Sequence, residues 1–176
     1  MNPSGKRTST AGKKVTGFYS KAFDQGIMSL MDEIKLASKW SRPSILVAVH
    51  KGSVGQAKAR ARLKKEVEAI GKRIHNLEAG RENPNMIQAA LKFPRREGTV
   101  FFITGVGKNS EAERREIYRA LNFHRELLVE NRIILVMWLA SAEASELPRL
   151  APDFWAFRHR VVEFAPDRSP VKKAPS

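Results

Sequence analysis

Two glycine turns each follow directly on a run of aliphatic residues: KGSVGQAK after Ser44 to His50 (SILVAVH), and GVGKNS after Thr99 to Thr104 (TVFFIT). A turn of this kind can cradle phosphate in its backbone N–H groups. The P-loop spacing G-x-x-x-x-G-K-[ST] adds a Lys for the β- and γ-phosphates and a hydroxyl for Mg²⁺. Neither turn has that spacing. Gly52 and Gly55 are three apart, and Lys58 follows Gly55 by three with no hydroxyl after it. In the second turn Gly107-Lys108 is followed by Asn109 before Ser110, and position 102, where the opening glycine should lie, is Phe. The strand that would end in a Walker-B acid ends instead in Thr104-Gly105, which removes the carboxylate that would hold a metal ion. The expected chemistry is therefore anion or nucleotide contact without hydrolysis, by His50, Gly52, Gly55, Lys58 and Lys108. His50 sits at the carboxyl end of its strand, where open α/β sheets bind ligands. No catalytic set, metal site or cofactor is expected; His75, His124 and His159 have no metal-ligand spacing.

Two other groups of residues carry chemistry of a weaker kind. Lys13 and Lys14, with Arg60, Arg62, Lys64 and Lys65 along one helical segment, could contact phosphates along a nucleic-acid backbone without reading its sequence. Trp155, Phe157 and Arg158 form an aromatic-basic cluster suited to docking a protein. Asp153 and Arg158, on either side of Trp155, are expected to lock their turn by a charge-assisted hydrogen bond.

The elements that must position these residues follow from periodicity. Phe23, Ile27, Leu30, Met31, Ile34 and Ala37 recur at helical spacing from about Lys21 to Trp40, and Pro43 stops the helix. Ser44 to His50 is apolar on both faces, as a strand covered on both sides must be. A second helix runs from Gln56 to about Gly71 on the stripe Ala59, Leu63, Val67 and Ile70, and a short strand follows at Arg73 to Leu77. Asn83 or Asn85 caps a short helix through Met86, Ile87, Ala90 and Leu91, closed by Pro94. After the Thr99 to Thr104 strand, Ser110 caps a long helix whose apolar stripe includes Ile117, Leu121, His124 and Leu128. Arg132 to Leu139 (RIILVMWL) is a buried strand, Ser141 caps a brief helix through Leu147 and Leu150, and Arg160 to Phe164 is the last strand. Strands alternating with amphipathic helices predict a three-layer α/β sandwich on a mostly parallel five-stranded sheet, P-loop- or Rossmann-like in kind.

Composition sets the bounds. The chain has 176 residues and no cysteine, so neither disulfides nor thiolate ligands are available. No run approaches 18 consecutive apolar residues, and the basic N-terminal stretch lacks an apolar h-region, so no membrane partner and a cytoplasmic location are expected. The formal charge is +14: the first 21 residues hold five Lys/Arg and no acid, and Pro166 to Ser176 carries about +2, which leaves about +7 for the rest. Residues 1–20 and 166–176 are expected to be flexible basic tails flanking one domain, 21–165.

The stretch from Arg119 onward carries a family resemblance. It holds Leu121-Asn122-x-x-Arg125-Glu126, an aliphatic strand containing Trp138, then Ala151-Pro152-Asp153-Phe154-Trp155-x-x-Arg158 and a closing strand with Val162 and Phe164. This resembles the end of a nucleotide-binding-like α/β module of large bacterial proteins that also carry STAND-type ATPase modules or tetratricopeptide repeats. The resemblance covers about a quarter of the chain and implies an accessory or signalling module in a bacterial, defence-related complex. It transfers no catalytic residue set. Three functions stand as expectations: a non-catalytic adaptor or assembly subunit with a protein partner; a nonspecific nucleic-acid-binding accessory protein; and a nucleotide-sensing regulator that does not hydrolyse.

Overall fold

The computed structural model describes residues 20–165; the two expected tails, with Lys13 and Lys14, lie outside them. Apolar runs become strands and apolar stripes become helices in the order α1 (Lys21–Lys39), β1 (Ser44–His50), α2 (Ser53–Ala69), β2 (Arg73–Glu78), α3 (Met86–Lys92), β3 (Thr99–Thr104), α4 (Glu111–Glu130), β4 (Ile134–Ala140), α5 (Ser141–Leu150), α6 (Pro152–Ala156) and β5 (Arg160–Phe164). A 3-10 turn, Val106–Lys108, joins β3 to α4. All five strands are parallel, in the order β2-β3-β4-β1-β5.

Alternation along each strand divides the core into two layers, since successive side chains point to opposite faces. Leu46 and Ala48 of β1, Phe102 of β3, Trp138 of β4 and Val162 and Phe164 of β5 pack under α1 and α2. Ile45, Val47 and Val49, Phe101 and Ile103, and Leu135, Met137 and Leu139 pack under α3, α4, α5 and α6. The three-layer α/β architecture is thus as expected, with the sheet wholly parallel. Val161, facing outward on the edge strand, is 38% exposed.

Several boundaries differ from the periodicity, each for a local reason. α2 begins at Ser53, inside the first glycine turn, because Gly52 serves as its N-cap. Arg132 belongs to the end of α4 and not to a strand: its φ is +54° and its N–H bonds to Val129 O, which closes the helix. Ile70 is the C-cap of α2 and stands 38% exposed instead of joining the apolar stripe. Pro152 opens the unexpected helix α6, since proline suits the first helical position.

The topology fixes where the sheet opens. The chain leaves β1 for β2 over one face through α2, and leaves β4 for β5 over the other through α5 and α6. β1 and β4 are neighbours, with His50 level with Ala140. Their carboxyl ends therefore form the switch point at which connections diverge and a crevice opens.

Candidate functional site at the carboxyl ends of the strands

His50 ends β1 at this crevice, half-buried, with its Nδ1 3.1 Å from Gly52 O. Gly52 holds φ +112° and ψ 151°, a region that only glycine occupies without strain. That geometry turns the chain at once from strand to helix. No side chain caps α2 and no acid stands in its first turn. Nothing lies within 4 Å of where a Cβ would sit on Gly52 or Gly55. The first turn therefore keeps an open helix N-terminus flanked by His50 and Lys51, an arrangement able to receive an anion. Lys58 is exposed on α2 as its sixth residue, about 8 Å along the axis from the start at 1.5 Å per residue.

The second turn is closed. Lys108 Nζ lies 2.7 Å from Glu78 Oε1 at the end of β2; that hydrogen bond, and then the charge behind it, hold the Glu78 carboxyl below its ordinary range. The Asn109 amide donates to three carbonyls, Ala79 O at 3.0 Å, Gly105 O at 2.8 Å and Val106 O at 3.2 Å, and so staples the loop after β3 to the end of β2. A Cβ on Gly107 would meet Glu143 Oε1 at 2.5 Å, so glycine here makes room for a carboxylate of the protein itself. The second Oε of Glu143 accepts from Ala140 N at 2.5 Å and caps α5. Behind it the buried Tyr118 hydroxyl donates to Glu143 O at 3.0 Å, and burial pushes its pKa up. Arg114 completes the joint with two bonds to Glu146, 3.1 and 3.2 Å, and one to Asn109 O, 2.9 Å.

The expected grouping of Lys108 with His50, Gly52, Gly55 and Lys58 is therefore corrected. β4 lies between β3 and β1, which sets the two turns about 10 Å apart at the usual strand spacing, and Lys108 turns the opposite way, toward edge strand β2. Asn109, Arg114, Tyr118, Glu143 and Glu146 escaped the sequence reading. The capping pair Ser110 and Glu113, present here, was half legible; the others join segments some 30 residues apart, for which no local spacing exists.

The basic helix face is partly neutralised within α2. Arg62 pairs with Glu66 at 2.8 Å and Lys64 with Glu68 at 3.8 Å, while Arg60 donates to Asn76 Oδ1 at 3.2 Å. The charge is nevertheless segregated. Residues 51–97, which supply α2, β2 and α3, hold twelve Lys/Arg and five acids; residues 98–165 hold nine of each.

The aromatic cluster is also rearranged. Trp155 packs half-buried on the core, and Arg158 stacks over its ring at 4.0 Å and donates to Trp155 O at 2.9 Å. Asp153 does not pair with Arg158. It is met by Asn122 Nδ2 at 3.3 Å and Arg125 Nη1 at 3.7 Å, because α6 docks on α4. Phe157, 39% exposed, and Phe123, 77% exposed and unforeseen, are the outward aromatics here. Arg115, Arg119, Phe123, Leu150 and Asp153 line a groove of about 410 Å³ beside them.

Among the described residues no three His, Asp or Glu side chains are grouped to hold a metal ion, and no helix is long and apolar enough to cross a membrane. No protein-family model matches the sequence, and no curated protein does. Asn122 on α4 and the start of α6 meet in space: Asn122 Oδ1 accepts from Asp153 N at 2.8 Å and from Phe154 N at 3.0 Å. These residues form a structural joint.

Proposed function

We propose that the chain is a non-catalytic α/β module acting as an adaptor or assembly subunit of a bacterial complex of the defence or signalling type. What carries this reading is the closed second turn: Lys108, Asn109 and Glu143 are engaged with the protein's own β2 and α5. Phe123 and Phe157, outward on α4 and after α6, give a partner protein something to grip. A nucleic-acid-binding role is the second reading, supported by the excess of cations in 51–97. One experiment separates them. The tagged chain is captured from its native cytoplasm with and without nuclease, alongside Phe123→Ala/Phe157→Ala. A protein partner retained after nuclease and lost in the double variant is the expected result. Loss of every partner on nuclease treatment would put nucleic acid first, and nucleotide hydrolysis abolished by Lys58→Ala would overturn the non-catalytic reading.

A further inference from the structure

The opposite end of the sheet holds a cleft of about 500 Å³ among the amino ends of β1, β3 and β4. Four cations line it: Arg42, Lys72, Arg96 and Arg132. Among the described residues none of the four has a carboxylate within 4.0 Å, whereas Arg62, Arg114 and Arg160 elsewhere are each ion-paired. Two acids, Glu97 and Glu130, share the lining and are likewise without ion pairs. Ser38 contributes a buried Oγ with no hydrogen-bond partner.

Three helices end here in the same way, and the residues they use are informative. α1, α2 and α4 each close with a Schellman pair: Arg42 N to Ala37 O with Ser41 N to Ser38 O, Lys72 N to Val67 O with Gly71 N to Glu68 O, and Ile133 N to Leu128 O with Arg132 N to Val129 O. The motif places one residue in the left-handed region, where glycine alone avoids a steric cost. α2 uses Gly71 there, at φ +76°. α1 and α4 use Ser41, φ +48°, and Arg132, φ +54°, and those two, unlike Gly71, line the cleft. Side chains thus stand at two positions where glycine would avoid a steric cost, and both line the same cleft.

Magnitudes narrow the ligand. Four cations against two acids leave +2, and three helix carboxyl ends of about half a negative charge each bring the cleft close to neutral. A polyphosphate gains little from such a balance. A single phosphate ester that also offers hydroxyl or amino donors to Glu97, Glu130 and Ser38 fits it. We infer that this cleft binds a phosphate ester that also carries hydroxyl or amino donors, as a nucleotide unit does, taken from free nucleotide or from a nucleic-acid strand. The site is separate from the glycine turn at Gly52 and depends on neither reading above.

The test titrates the full chain with adenosine monophosphate and with a fluorescent oligonucleotide, using wild type, Arg132→Gly, Arg96→Ala and, as a control on the outer face of α1, Lys35→Ala. Arg132→Gly removes the guanidinium while relieving the backbone, so it should weaken nucleotide binding by about 10-fold or more with a melting temperature no lower than wild type. Arg96→Ala should weaken it similarly and Lys35→Ala should not. Competition between mononucleotide and oligonucleotide assigns the phosphate to a strand; mononucleotide binding without competition assigns it to a free ligand. Failure of wild type to bind either probe, or wild-type affinity in both cleft variants, overturns the proposal. Oligonucleotide binding undiminished in those variants does so too, while leaving the nucleic-acid reading on α2 intact.

Discussion

His159 joins β5 to β1 through two bonds: its N–H donates to Ile45 O at 2.8 Å, and its ring Nδ1 accepts from Ile45 N at 3.0 Å. The second requires an unprotonated Nδ1. Partial withdrawal of the ring from water lowers its pKa below the ordinary value of about 6.5; Glu33 pulls upward and Arg42 downward. Below about pH 6.5 the unfolded chain takes up a proton that the native ring resists. The stability from this bond is therefore complete above that pH and declines as pH falls through it. Urea midpoints should drop between about pH 7.5 and 5.5, and His159→Asn, which keeps an acceptor near the Nδ1 position, should flatten the dependence. An unchanged slope in the variant would assign it elsewhere.

At the scale of elements, the joint between α4 and α6 is the most exposed to test. Asn122 reaches across to satisfy two backbone N–H groups at the start of α6, a helix of five residues that cannot sustain itself. Asn122→Ala should cost about 1–2 kcal/mol, seen as a lower thermal midpoint with little change in far-UV circular dichroism. An unaltered midpoint would mean that Phe154, buried in the core, holds α6 alone. The three inner strands, β1, β3 and β4, could be read directly, because a parallel sheet covered on both faces writes such strands as unbroken apolar runs; the edge strands β2 and β5, with charged residues among the apolar ones, were legible from their place between helices. α6 could not, since Trp155 and Phe157 over so few residues show no period. The glycine turn after β1 was legible from its residues, but its openness was not, since that rests on Gly52 starting α2 with no side-chain cap. The closure of the other turn was not: Asn109 and Glu143 act on carbonyl and amide groups brought near only by strand order.

The charge of the described residues is unevenly distributed, its excess carried by the third of them that supplies α2, β2 and α3. Self-repulsion within that segment opposes folding, and salt relieves it. Raising ionic strength from about 0.01 M to about 0.15 M shortens the screening length from about 30 Å to about 8 Å, so the thermal midpoint should rise by a few degrees. A fall would mean that pairs such as Arg114–Glu146 outweigh the repulsion.

Strand order has a temporal side. β1 touches only β4 and β5, with Ser44 beside Ile134 and Leu46 beside Arg160, so its nearest ladder partner lies 90 residues later in the chain. At about 5–20 residues per second on a ribosome, this aliphatic strand waits roughly 5–20 s with both edges unmet. β2 and β3, neighbours in sequence and sheet alike, meet long before. β1, an inner strand of the finished sheet, is thus the one most in need of a chaperone during synthesis.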